Sequence, residues 1–226
     1  MAKQLAFDLP ANTAFGRDDF LTSPTNSLAI DAIEDWPNWP LNKLVLTGGE
    51  GAGKTHLATI WSELAQARIF PATALSTEMP EVLIATPICI EDVPDIAGDP
   101  QAEKALFHLH NLAQETGTPL LMTGRGAINI WGITLPDLLS RLQGSNTVAL
   151  LPPGDFLLSA VLVKLFSDCQ LRVEPGLIAY LLPRMERSFA AARKLVHALD
   201  HQALQDKRPI GVKMARLTLE TLQTEP

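Results

Sequence analysis

The chain has 226 residues, 46% of them hydrophobic and 19% charged, with a formal net charge of −7. That is enough apolar material for one large or two small folded units, and no run reaches the ~18 uncharged apolar residues of a membrane span. The acidic balance argues against broad, sequence-independent adhesion to DNA. The amino terminus carries no apolar signal-peptide core. Cys89 lies in an apolar run and Cys169 near a helix end, a usage that fits a reducing cytoplasm rather than a disulfide framework.

In chain order, residues 1–12 precede any folded element, and Pro10, Asn12 and Gly16 break the chain around the end of that tail. Within the tail, Gln4, Leu5, Phe7 and Leu9 form a polar residue followed by spaced apolar teeth. The segment Thr22-Ser23-Pro24-Thr25-Asn26 supplies helix-start signals for an apolar face made by Leu28, Ala29, Ile30, Ala32 and Ile33. The Trp36-Pro37-Asn38-Trp39-Pro40 stretch then ends that helix and turns the chain.

Next comes the most informative stretch. Lys43 to Thr47 reads as a short buried strand, Gly48-Gly49-Glu50-Gly51-Ala52-Gly53-Lys54-Thr55 fits the phosphate-loop pattern at every fixed position, and His56 onward has apolar residues at helical spacing. Glycines let consecutive backbone N–H groups curl around phosphate oxygens, and the following helix adds the positive end of its dipole. In this pattern Lys54 reaches the terminal phosphates and the Thr55 hydroxyl ligates Mg²⁺. The reading is that the chain binds a nucleoside phosphate with Mg²⁺.

A second strand is predicted from residues 67–70 and a third from 86–92, the latter ending in Glu91 and Asp92. Two carboxylates at a strand end beside a phosphate loop suit a Mg²⁺ ligand and a residue that orients the attacking water. A helix over 99–116 is closed by Gly117, a buried strand over 119–124 presents Thr123, a short helix over 135–142 carries Arg141, and a last strand covers 147–151. Strands alternating with helices predict a parallel α/β sheet covered on both faces. From Pro152-Pro153-Gly154 onward only helical segments appear, over 154–168, 175–185, 188–205 and 211–223, which predicts a helical lid. The expected organisation is a tail over 1–12, a nucleotide-binding α/β domain over 13–152 and a lid over 153–226. His197 and His201 are spaced i, i+4 but lack a third ligand, so a solvated helix face accounts for them. His108 and His110 fall on opposite sides of their helix and bring nothing together.

With these motifs in order, the chain resembles the AAA+ ATPases of the DnaA family, and within them the Hda branch of DnaA regulators. The phosphate loop with its trailing His56-Leu57 is similar to the family's Walker A. Ile88 to Gly98 resembles its Walker B block, Leu121 to Arg125 its sensor I strand, and Leu135 to Leu142 the box that holds its arginine finger. The resemblance implies an AAA+ fold with a C-terminal helical lid. It implies nucleotide contacts from Gly49, Glu50, Gly51, Ala52, Gly53, Lys54, Thr55 and His56, from Pro24 and Asn26 on the adenine side, and from Arg193 as sensor II. Thr55 and Glu91 become the Mg²⁺ ligands, and Glu91, Asp92, Thr123 and Arg141 the catalytic set, with Arg141 acting in trans.

By position, Gln4, Leu5, Phe7 and Leu9 resemble the motif that docks on the DNA polymerase sliding clamp. The implied partners are that clamp and DnaA, with a homodimer a further option and any DNA contact mainly indirect. Two departures from the family shape the expectation. The chain stops after the lid, without the helix-turn-helix domain that reads duplex DNA. Family members usually begin Walker B with Asp, whereas here the order is Glu91-Asp92, which predicts inefficient self-hydrolysis. The expected function is therefore a regulator of replication initiation that stimulates hydrolysis by DnaA. The competing expectations are an autonomous AAA+ ATPase or loader and a DNA-binding DnaA paralogue.

Overall fold

The computed structural model describes residues 21–76, 84–206 and 208–224. Gln4, Leu5, Phe7 and Leu9, and the tail expected over 1–12, lie outside the described residues.

Five strands, β1 (Lys43–Gly48), β2 (Arg68–Pro71), β3 (Ile88–Glu91), β4 (Leu120–Arg125) and β5 (Thr147–Leu150), form one parallel sheet in the order β2-β3-β4-β1-β5. Parallel strands must be covered on both faces, and alternate residues of each strand go to opposite layers. Val45, Ile88, Ile90, Leu120 and Met122 face one layer, closed by α3 (Pro100–Thr116) and α4 (Pro136–Gln143). Leu44, Leu46, Cys89 and Leu121 face the other, closed by α1 (Ser27–Glu34) and α2 (Lys54–Ala65). In that second layer Trp39 stacks on Trp61 with ring centroids 5.2 Å apart.

Local chemistry sets the helix ends. The Asp99 carboxylate accepts from Gln101 N–H at 2.9 Å and Ala102 N–H at 3.2 Å, Pro100 opens α3, and Gly117 closes it in the left-handed region. Glu103, on the first turn of α3, is fully buried. Its carboxylate accepts from Gly98 N–H, Thr134 N–H, the Thr134 hydroxyl and Leu135 N–H at 2.6–3.1 Å. Burial alone would push that carboxyl up, but these donors outweigh it and hold it below the ordinary carboxylate value. Glu103 thus pins the segment that leads into α4.

After β5 come α5 (Asp155–Asp168), α6 (Leu177–Leu181), α7 (Phe189–Asp206) and α8 (Val212–Thr224). They bury a separate cluster that includes Leu158, Leu162, Phe166, Leu177, Leu195 and Leu199. The helix expected over 175–185 is shorter: Gly176 takes a left-handed φ of 84° just before it, and Pro183 has no N–H with which to continue its hydrogen bonds. No helix among the described residues is long and apolar enough to cross a membrane.

Candidate functional site

The carboxyl ends of β1, β3 and β4 lie together because the strands are parallel, and a cavity of about 440 Å³ opens beside them, roofed by α5 and α7. Ligands of open α/β sheets bind at this end. Glu50, Gly51, Gly53, Lys54, Thr55 and His56 of the phosphate loop line it, together with Asp92 and Arg193. Gly51 and Gly53 adopt φ of 63° and 108°, which only glycine takes without strain. A Cβ on Gly51 would sit 2.6 Å from the Ala190 Cβ, and Phe189 N–H donates to the Gly51 carbonyl at 2.9 Å. The start of α7 therefore rests directly on the loop.

Lys54 is buried, and its ammonium donates to the carbonyls of Gly48 at 3.1 Å and Gly49 at 2.8 Å. Desolvation lowers its pKa, with Asp92 the largest opposing influence. Behind it, Glu91 accepts a hydrogen bond from Thr55, and burial raises its carboxyl above the ordinary value. Its Oε1 is buried with no hydrogen-bond partner. Asp92 takes a left-handed φ of 53°, held there by its N–H donating to Thr123 Oγ1 at 3.1 Å. Thr123 is buried and so shapes the site through the Asp92 main chain.

Several residues are not brought to the cavity. Pro24 and Asn26 do not line it; Leu21 does. The Asn26 side chain is spent locally, accepting from Ser23 N–H at 2.7 Å and donating to the Leu21 carbonyl at 2.8 Å. It thereby fixes the turn that presents Leu21. Gly49 and Ala52 belong to the loop without lining the cavity.

Arg141 stands at the other end of the sheet. It is exposed on the last turn of α4, near Lys43, the first residue of β1. Among the described residues it makes no ion pair. His197 and His201 are on α7, His201 exposed, and no group of three or more metal-ligating side chains occurs among the described residues.

The structure adds participants. Arg125, two residues beyond Thr123 on β4, reaches the cavity and bridges Glu50 at 3.4 Å and Asp95 at 3.3 Å. Leu157, Val161 and Leu165 form an apolar wall with Phe189. Their i, i+4, i+8 spacing on α5 runs beside the Leu158, Leu162, Phe166 stripe that enters the helical core. A helix apolar on two stripes is the sequence signal for such a wall.

A phosphate chain fits the cradle of loop N–H groups with Lys54 and Arg125, and a flat apolar base fits the wall. A divalent cation fits the Thr55 hydroxyl beside the orphaned Glu91 Oε1, since Mg²⁺ takes one or two protein oxygens plus phosphates and water.

No family model matches the sequence. Solved structures resemble it in fold. Domain III of the Thermotoga maritima replication initiation protein DnaA superposes with a TM-score of 0.80 at 19% identity, covering 96% of this chain and 100% of that one. AMPPCP-bound DnaA from Aquifex aeolicus gives 0.70 at 16% identity, covering 86% of this chain and 67% of that one. A point variant of Thermotoga maritima RuvB gives 0.69 at 17% identity, covering 93% and 73%. The fold, a five-stranded parallel sheet flanked by helices and followed by C-terminal helices, is shared with these DnaA and RuvB structures.

Proposed function

We propose that this chain is an adenine-nucleotide-binding regulator of replication initiation, which docks on the DNA polymerase sliding clamp and stimulates ATP hydrolysis by DnaA. One observation carries the regulatory half. Arg141 is exposed, makes no ion pair among the described residues, and stands at the amino end of β1, while the chain's own phosphate loop opens at the carboxyl end. It cannot serve its own nucleotide, so its natural target is a phosphate on a neighbour. An arginine supplied in trans meets charge that develops only in the transition state.

In its own cavity, Lys54, the loop N–H groups and Arg193 would hold the phosphates of ADP or ATP, and Thr55 with Glu91 would hold Mg²⁺. The ion would supply neutralisation of phosphate charge. Asp92 is one methylene shorter than Glu, and its backbone is fixed by Thr123. It therefore positions water poorly, and self-turnover is slow. The fold's likeness to DnaA supports pairing with a DnaA subunit through AAA+ surfaces. The clamp contact is assigned to Gln4, Leu5, Phe7 and Leu9.

The test adds the chain to ATP-loaded DnaA with DNA-loaded clamp and follows single-turnover hydrolysis, beside steady-state ATPase of the chain alone. Strong stimulation with slow self-turnover is expected. Brisk self-turnover without stimulation would replace this reading with an autonomous ATPase or loader.

A further inference from the structure

Lys43 is 1% exposed, an unusual burial for an ammonium. It donates to His110 Nδ1 at 3.2 Å and to Gln114 Oε1 at 3.1 Å. An ammonium only donates, so His110 Nδ1 accepts and the ring proton sits on Nε2. That Nε2–H faces Ser145 Oγ at 3.4 Å, and the Ser145 hydroxyl donates to the Arg141 carbonyl at 2.9 Å. A directed chain of hydrogen bonds therefore runs from the first residue of β1, across α3, to the main chain of Arg141.

Two further observations bear on it. Gln114, which takes the second Lys43 hydrogen bond, lines with Asn111, Glu115 and Arg141 a depression of about 400 Å³. Among the described residues Lys43 has no carboxylate as a hydrogen-bond or ion-pair partner, and the neighbouring charge it feels is that of Arg141. The titratable and charged groups around it are His110 and Glu115 on α3 and Arg141 on α4. Burial and the Arg141 charge lower Lys43 to about 8, and burial with the same two cations lowers His110 to about 4. An apolar side chain at position 43 would avoid this desolvation cost.

We propose that Lys43 is a positioning residue for Arg141: its hydrogen-bond chain through His110 and Ser145 fixes the end of α4, and its charge turns the guanidinium outward. The proposal rests on the reading of Arg141 as a trans arginine, and it deepens that reading.

The experiment uses the full chain as wild type, Lys43→Met, Ser145→Ala and Arg141→Ala. The ¹³Cζ resonance of Arg141, identified by its loss in Arg141→Ala, is followed from about pH 6.5 to about pH 9.5, a window spanning the lowered Lys43 value. A step centred near pH 8 is expected in the wild type and should vanish in Lys43→Met. In the stimulation assay, Lys43→Met and Ser145→Ala should each lose between about tenfold and about a hundredfold, the scale of an ångström-sized misplacement. Affinity of the chain's own site for ADP should stay unchanged.

Absence of the step in the wild type, or its persistence in Lys43→Met, overturns the proposal. So does full stimulation by Ser145→Ala, which cuts the chain at a polar site outside the core and keeps the test valid should Lys43→Met fold poorly. A wild type that shows the step but stimulates nothing would instead remove the functional reading and leave the Lys43–Arg141 coupling standing.

Discussion

Near the two ends of β1 stand lysines in opposite circumstances. Just past the carboxyl end, Lys54 opens α2 among acceptors: the Gly48 and Gly49 carbonyls bind its ammonium, and Asp92, Glu50 and Glu91 favour its charge against burial and Arg125. At the amino end Lys43 has an imidazole and an amide for partners and an arginine for a neighbour. The first arrangement is a cavity prepared to exchange internal acceptors for phosphate oxygens. The second accumulates positive charge beside an exposed guanidinium, which a compact acidic protein would neutralise if it served only its own stability. One end is arranged to hold an anion and the other to present a cation.

The sharpest way to break this contrast is Arg141→Ala. It should reduce stimulation of DnaA hydrolysis by about 10³–10⁵-fold while nucleotide binding and fold persist. Arg141→Lys should restore little, because a point charge does not reproduce the planar fork. Single-turnover hydrolysis of preloaded ATP reads both variants.

At the opposite end, Lys54→Ala removes the buried loop cation and should weaken ADP and ATP binding by at least about a hundredfold. Ligand at about 100 times the wild-type Kd stabilises the folded state by about 2.7 kcal/mol, and that thermal shift should disappear in the variant.

A smaller effect separates support from contact. Glu103→Ala deprives the N–H groups of Gly98, Thr134 and Leu135 of their carboxylate partner and should cost about 2 kcal/mol in denaturant unfolding. Because its folded pKa is depressed, the stabilisation from Glu103 is present above the ordinary carboxylate value of 4.5 and lost as pH falls below it. Glu103→Ala should therefore flatten the acid limb of the stability profile.

The smallest effect is on stability. Lys43→Met removes a desolvated charge but leaves His110 Nδ1 and Gln114 Oε1 without their donor, so the two effects offset to within about 1 kcal/mol at pH 7, and the pH dependence is the sharper readout. The sign of that dependence follows from linkage. The folded pKa of Lys43 lies near 8 against an ordinary 10.5, so wild-type stability gains as pH rises between those values, and the variant lacks that gain. Urea titrations at about pH 7 and about pH 10 measure both.

Much of the fold is legible in the sequence because its signals are local. The phosphate-loop pattern, the apolar strands and the Asp99 and Gly117 caps each fit within a few residues. What escapes depends on distant pairing. Arg125 reaches the cavity beside Glu50, 75 residues earlier, and Asp95, 30 residues earlier, and no local pattern announces either pairing. His110 looks idle in sequence because helical spacing locates it only relative to its own helix, whereas its partner Lys43 lies 67 residues away. Asn26 is expected at the base-binding edge by resemblance, yet its amide closes its own turn and leaves Leu21 at the wall. Polar side chains near helix starts are commonly absorbed in this way.

The seating of α7 on Gly51 has a mechanical consequence. With 18 residues the helix is about 27 Å long, so a tilt of about 5° about its first turn sweeps its far end through about 2 Å. A sub-ångström adjustment of the loop carbonyl that receives Phe189 N–H is thus magnified toward Leu204 and Asp206. A ligand that shifted the loop carbonyl in this way would be read out at a surface a helix length away.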